Sequence, residues 1–330
     1  MKISVIVPAY NEEKTIERCL HSILRNTYQN LEVICINDGS TDRTAEILAE
    51  VAERDARVKI VTQENAGLPS ARNRGLEIVS GEFITFIDAD DWIHREYFQC
   101  LFESSIKNNA DITVCGYCNV NDEMYGSENE ICKPISVRTL SQKEWMKNFH
   151  VKTYVWGKLI KCELIGAIRF EEDLQFGEDS AFMMEILCKT PKVQINLLDE
   201  VLYYYYQKSE FTGRFAKSEA YLPMIDKFFK YANSLNISED MRLFIAEEIV
   251  KKLLIYRYEA EVEKNFQEVD ENFWGRFHSL KKDISKLAPD KRFKFRVFAL
   301  FPSFYRMMRI MKDRTLLEWE KRKRELMDIL

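Results

Sequence analysis

The chain has 330 residues, of which 46% are hydrophobic, 12% aromatic and 31% charged, and its formal net charge is −5. That balance excludes a disordered, collagenous or low-complexity chain, and the length suits two domains. No apolar run approaches the roughly 18 residues of a bilayer span, and MKISVIVPAY leads into Asn11, Glu12 and Glu13 without a cleavage-site pattern, so the sequence predicts a cytoplasmic protein without a membrane span.

Ile3 to Val7 is a β-branched run stopped by Pro8, a buried-strand pattern. Ile16, Cys19, Leu20, Ile23 and Leu24 then fall at helical spacing, with Glu12 and Glu13 where a helix N-terminus favours negative charge. Leu31 to Ile36 reads as a second strand closed by Asn37, Asp38 and Gly39. Thr41 or Asp42 is placed to cap the next helix, which turns Ile47, Leu48 and Val51 inward. A strand from Val58 to Val61, a helix from Pro69 to Val79, a strand from Phe83 to Ile87, a helix from Glu96 to Lys107 and a strand from Ile112 to Cys115 continue the alternation. Such order predicts an α/β fold with a mostly parallel central sheet and helices on both faces.

After Gly126 the alternation becomes irregular, with helices predicted from Gln142 to Phe149 and Ser180 to Leu187 and extended pieces from Val193 to Leu197 and Leu202 to Tyr206. From about residue 216 the pattern is helical throughout, which places a domain boundary there.

In an open parallel sheet, ligands bind beyond the carboxyl ends of the strands. Here those ends carry Pro8, Ala9, Tyr10, Asn11 and Glu12, then Asn37 to Asp42, then Asp88, Ala89, Asp90 and Asp91. Tyr10 offers a flat apolar surface to a nucleotide base, and the Asp38 carboxylate can accept an imide N–H, which favours uracil or thymine over adenine. Asp88, Asp90 and Asp91 concentrate negative charge that a divalent cation would offset. Few carboxylates with open coordination positions suit Mg²⁺ or Mn²⁺ on a substrate diphosphate better than Zn²⁺. The competing reading of these acids is that they cap helices and fill turns, which for Asp42 has about even weight.

VPAYNEE, NDGSTD, ENAGLPSARNRG and FIDADD, in this order and at these separations, resemble the family 2 glycosyltransferases of the GT-A (Rossmann-like) fold. The resemblance covers residues 1–110 most closely and continues through Trp156-Gly157-Lys158 and Gly177-Glu178-Asp179 to residue 213. It implies a transferase domain over 1–215, with a nucleotide-binding half 1–110 and an acceptor half 111–215, and it does not cover the last third, where the pattern alone predicts a helical C-terminal region 216–330. Pro8, Ala9, Tyr10, Glu12, Asp38, Asn65 and Arg72 would surround the uridine of a UDP-sugar donor. Asp88 and Ala89 would lie near the ribose and sugar, and Asp90 would hold Mn²⁺ or Mg²⁺. The resemblance also implies inversion by direct displacement, with Asp179 as the base that takes the acceptor proton and Glu178 orienting the acceptor or assisting. Asp179 opens a helix with apolar positions Phe182, Met183, Ile186 and Leu187, so the helix dipole is expected to keep it ionised. Taken without the resemblance, Asp179 reads as an N-cap. The loop after Tyr206 departs from the family pattern at Gln207, where many members carry Arg nearer that position.

Residues 291–314 carry eight Lys/Arg among Phe, Met, Leu and Ile, with Pro302 dividing them. This basic amphipathic stretch would lie on an anionic membrane, which suits a lipid-linked saccharide acceptor and a peripheral location at the inner face of the cell membrane, or would pack on the transferase domain or on a second copy in a homo-oligomer. The acidic N-terminal half and the lack of a binding motif speak against nucleic acid. Cys115 and Cys118 have zinc-pair spacing without a second pair, and most of the eight cysteines read as buried thiols rather than disulfides. The four His residues read as structural or exposed. The leading expectation is an enzyme of surface polysaccharide assembly that moves a single sugar from UDP to a saccharide. A sugar-phosphate nucleotidyltransferase would carry a Gly-rich loop where VPAYNEE stands, and a noncatalytic sugar-nucleotide scaffold would lose the base.

Overall fold

The computed structural model describes residues 1–121, 137–146, 153–174, 176–207, 218–234, 236–262 and 266–300. The chain divides into two compact units, Met1–Arg214 and Phe215–Leu330.

The first unit is built on a sheet whose centre is β1 (Ile3–Ala9), buried along its whole length. Parallel to it on one side run β2 (Leu31–Asp38) and then β3 (Val58–Gln63), and on the other β4 (Phe83–Phe86). Near-continuous burial is what a parallel strand covered on both faces requires, and it explains the unbroken apolar run of β1. Helix α1 (Ile16–Leu24) buries Ile16, Cys19, Leu20 and Ile23, the stripe its spacing predicts. Helices α2 (Thr44–Arg54), α3 (Leu68–Leu76) and α4 (Tyr97–Lys107) complete the alternation, with the two-residue β5 (Trp92–Ile93) preceding α4.

Beyond β4 the sheet becomes mixed. Its remaining elements are β6 (Ile112–Val120), β7 (Val137–Ser141), α5 (Gln142–Met146), β8 (Lys158–Lys161), α6 (Cys162–Ile165), α7 (Glu178–Lys189) and β9 (Gln194–Tyr206). The strand order is β3-β2-β1-β4-β8-β6-β9-β5, with β7 also paired to β9. Strand β8 enters antiparallel between β4 and β6, while β6 and β9 run parallel.

The sequence predicts two extended pieces where the structure has the single strand β9. Asp199 and Glu200 interrupt the apolar pattern, but the chain bulges there instead of turning, and the register with β6 shifts on both sides of Gly116. A Cβ at Gly116 would stand 2.8 Å from the Glu200 carbonyl oxygen, so the missing side chain admits the bulge. Strands β5, β7 and β8 are absent from the sequence expectation because two to five residues are too short to show a period.

One polar group is sealed into the central strands. The Glu32 carboxylate accepts from Ser4 Oγ at 2.6 Å, the Ser80 N–H at 2.6 Å and Lys59 Nζ at 2.9 Å. Burial pushes this carboxyl up, but those donors outweigh burial and bring it down to about 2.

The second unit contains a short 3-10 turn (Ser218–Ala220) and helices α8 (Tyr221–Ala232), α9 (Glu239–Val262), α10 (Phe266–Ser279), α11 (Lys281–Lys286) and α12 (Pro289–Leu300), with no strand among its described residues. Met224, Ile225 and Phe228 of α8 and Ile245, Ile249 and Leu253 of α9 are among its buried residues, and Arg276 grips Asp226 through two bonds of 2.9 Å. Among the described residues no helix is long and apolar enough to cross a membrane. Residues 301–314 of the basic segment lie outside the described residues, as do 208–217, which hold most of the loop after Tyr206.

Candidate active site

The shared register of β1 with β2 and β4 brings Ala9, Asn37 and the chain after Phe86 to the same edge of the sheet. Side chains lace the loops that follow. Asn11 adopts a left-handed backbone with φ 56°. Its side chain accepts from the Thr41 N–H at 2.8 Å, while the Glu12 N–H donates to Thr44 Oγ1 at 2.8 Å. Asp42 accepts from Thr44 N at 2.9 Å and Glu13 N at 3.1 Å, which makes it a structural anchor for α2 and the first loop. Gly39, at φ 72°, leaves only 2.7 Å between a hypothetical Cβ and the Asn65 nitrogen, so no other residue fits there without displacing the 64–67 loop.

These loops enclose a pocket of about 410 Å³ lined by Pro8, Ala9, Tyr10, Glu12, Asp38, Asn65, Asp88, Ala89 and Asp90. Gly67, Leu68, Ala71 and Tyr205 complete the lining. Tyr10 is 47% exposed, an open ring at the pocket wall. Asp38 is buried, and its carboxylate accepts from Gln63 Nε2, the Ala66 N–H and the Gly67 N–H at 2.8, 3.0 and 2.9 Å. Those bonds take three of its roughly four acceptor positions. Asp38 therefore shapes the 66–67 loop first, with about one acceptor position left over.

The acids of the 88–91 loop separate into different environments. Asp91 is fully buried, accepting from Tyr203 Oη at 2.5 Å and the Tyr206 N–H at 2.8 Å. Burial pushes its carboxyl well up, Asp88 and Asp90 push further, and the two donors only partly oppose them. Asp88 pairs with Arg72 at 3.0 Å. Asp90 lines the pocket, and its carbonyl accepts from Arg18 at 3.0 Å. Arg18 in turn stands 4.2 Å from the Trp92 ring centre and 4.5 Å from that of Tyr206, a cationic brace for the loop. Among the described residues no closed cluster of three His, Cys, Asp or Glu forms a cage. The oxygen donor that Asp90 offers at the pocket wall is of the kind Mg²⁺ and Mn²⁺ take, and a cation there would need further oxygens from outside the chain.

Arg72 is the one predicted nucleotide-site residue outside the pocket lining. Its side chain is 2% exposed, and its guanidinium pairs with Asp88, with Asp179 at 2.6 Å and with Glu178 at 3.4 Å. Burial alone would depress Arg72, but Asp179, Asp88 and Glu178 outweigh it and keep the guanidinium charged. Asp179 lies in the first turn of α7, whose preceding Gly177 is left-handed. Its second oxygen accepts from the Val155 N–H at 3.1 Å. Burial raises the Asp179 carboxyl, Arg72 lowers it, Glu178 and Asp88 raise it again, and the balance lies at about 6. The helix dipole therefore does not keep this carboxyl in the ordinary range, because burial and two neighbouring acids act against it.

The sequence reading does not anticipate Tyr205, Leu68 or the Arg18 brace. Tyr205 had a usable signal, since alternate residues of a strand share a face and Tyr203 and Tyr205 follow that period. Cys115 is buried with its thiol 3.5 Å from the Gly157 carbonyl, and Cys118 lies half-buried in β6. His94 is buried, with Nδ1 accepting from the Glu96 N–H at 3.2 Å, a structural role. His150 and Cys132 lie outside the described residues.

A sequence model of the family described as Glycosyl transferase family 2 matches residues 4–163. Glycosyltransferase GlyA of Streptococcus pneumoniae serotype 4 (strain ATCC BAA-334 / TIGR4) is 38% identical over 202 residues, covering 58% of this chain and 29% of that protein. Glycosyltransferase GlyG of the same strain is 30% identical over 217 residues, covering 63% of this chain and 71% of that protein. In fold, the crystal structure of S. aureus TarS 1-349 in complex with UDP-GlcNAc is similar with a TM-score of 0.67 at 22% identity, covering 88% of this chain and 83% of that one. The chain belongs to glycosyltransferase family 2, and its α/β fold is of the GT-A type. The chain spans less than a third of the length of GlyA.

Proposed function

We propose that this chain is an inverting, metal-dependent glycosyltransferase that moves a sugar from a UDP-sugar to a hydroxyl of a saccharide acceptor in surface polysaccharide assembly. The observation that carries the reading is Asp179, a carboxyl at about 6 tied through the shared Arg72 to Asp88 at the pocket. A base poised near neutral pH combines a large ionised fraction with proton affinity. The UDP-GlcNAc bound by the TarS neighbour supports a UDP-sugar as donor.

In this mechanism Tyr10 stacks on the uracil, and Asp38 with the 65–67 loop frames its polar edge. Asp88 and Ala89 border the ribose and sugar. Asp90 would hold Mn²⁺ or Mg²⁺, which when bound would supply positive charge to offset that of the departing diphosphate. Asp179 accepts the proton of the acceptor hydroxyl as that oxygen bonds to the anomeric carbon and the bond to the diphosphate oxygen breaks, releasing UDP. Glu178 lies beside Asp179 to orient the acceptor. Inversion follows from this single displacement, and no covalent sugar intermediate is needed.

For a lipid-linked acceptor, the basic stretch 291–314 brings the enzyme to an anionic membrane surface by combining apolar burial with charge attraction. Liposome flotation of the full chain against a truncation before Lys291 tests that part; equal behaviour of the two removes it. The core reading is tested by UDP release from UDP-glucose, UDP-galactose and UDP-GlcNAc with Mn²⁺. Turnover by wild type that is lost in Asp179→Asn supports it, and equal turnover by the variant removes Asp179 from the mechanism.

A further inference from the structure

A set of aromatic rings runs from the pocket lining at Tyr205 to the segment whose backbone bonds Asp179, and the donor site does not use most of it. Trp156 stacks on Tyr154 at 3.7 Å between ring centres, on Tyr203 at 4.6 Å and on Tyr205 at 5.3 Å, with interplanar angles of 11°, 16° and 17°. Tyr117 meets Trp156 edge-on at 5.0 Å. A stack serving packing alone would be sealed, yet Tyr117 is 40% exposed and Tyr205 lines the pocket beside Asp88 and Asp90. At its other end the stack adjoins Asp179, which accepts from the N–H of Val155, the residue between Tyr154 and Trp156.

We propose that Tyr117 and Tyr205, braced by Trp156, form the acceptor subsite, a stacking surface for the C–H face of an uncharged pyranose ring lying between the donor pocket and Asp179. This inference rests on the glycosyltransferase reading and adds the place and chemistry of the acceptor. Rings already stacked lose little freedom when a sugar settles on them, so the surface is preorganised. The Tyr205 hydroxyl at the pocket lining offers a hydrogen-bond donor to a sugar oxygen. The surrounding acids decide the charge of the ligand. Asp88, Glu178 and Asp179 share a single buried arginine, a net negative set that repels an anionic acceptor.

Saturation-transfer NMR on the full chain tests the subsite with methyl β-D-glucopyranoside, methyl β-D-galactopyranoside and methyl N-acetyl-β-D-glucosaminide as probes. UDP with Mn²⁺ serves as the donor-site control and ribitol 5-phosphate as an anionic acyclic comparison. The expected result is saturation of one face of a pyranose, reduced at least fivefold in Tyr117→Ala, kept in Tyr117→Phe, with the UDP signal of Tyr117→Ala unchanged. Three results overturn the subsite while UDP still binds: no glycoside signal, a glycoside signal indifferent to Tyr117→Ala, or a signal from ribitol 5-phosphate alone. Loss of the UDP signal in folded wild type instead removes the transferase reading, and a glycoside signal that still depends on Tyr117 then supports the stacking surface by itself.

Discussion

Arg72 joins Asp88 to Asp179 across a buried guanidinium, 3.0 Å from the first and 2.6 Å from the second. The acid that follows β4 and the residue proposed as the base therefore share one counter-charge. Because Asp179 lies at about 6, transfer should rise with pH through that value: below it the carboxyl holds a proton and cannot accept another, above it the carboxylate is free to do so. A pH profile of kcat/KM checks this, and Asp179→Asn should lower kcat by about 10²–10⁴-fold while retaining UDP binding.

Arg72→Met should be more damaging than a surface change. Removing one partner of a buried ion pair leaves the other charges uncompensated, at a cost of about 3–5 kcal/mol. Asp179 loses the group that lowers it, so any residual activity should show its acid limb shifted to higher pH. Arg72→Lys cannot span both carboxylates with one point charge and should rescue stability only in part. Thermal unfolding and pH profiles of both variants test the pair of statements.

The 88–91 acids should respond differently to the same change. Asp90→Asn should lose Mn²⁺-dependent UDP binding, because Asp90 lines the pocket. Asp91→Asn should retain it, since Asp91 is buried against Tyr203 and Tyr206 and its carboxyl is pushed well up. Titration of UDP into each variant with Mn²⁺ separates the two, and equal loss in both would show that the loop acts as one unit.

Three features of the site differ in how readily the sequence shows them. The loops at the ends of β1, β2 and β4 are legible because short polar runs after buried strands mark the binding edge of a parallel sheet. Arg72 is not, since its partners lie 16, 106 and 107 residues away and only its bonds to the first turn of α7 and to the 88 loop reveal what it serves. Asp179 is legible as a helix-start acid, but its raised carboxyl depends on burial, which a local pattern does not report. In the fold, β9 escapes the sequence reading because Asp199-Glu200 resembles a turn, and the bulge opposite Gly116 is visible only through its partner strand.

Glu32 sets an acid limit on stability. Its folded value of about 2 lies below the ordinary 4.3, so its contribution is complete above that ordinary value and is lost as pH falls toward 2. A shift of that size corresponds to about 3 kcal/mol for this nearly unexposed side chain. Urea unfolding of wild type between pH 5 and pH 2 should show the loss, and Glu32→Gln should start less stable and lose less over the same range.

The proposed metal-assisted UDP-sugar site is tested most directly by calorimetric titration of UDP, with ADP and GDP as comparisons, first in Mn²⁺ and then in excess EDTA. Preferential binding of UDP in Mn²⁺, weakened at least tenfold by EDTA, is the predicted result. Binding of UDP no tighter than of ADP or GDP, or indifferent to EDTA, in folded protein would contradict it.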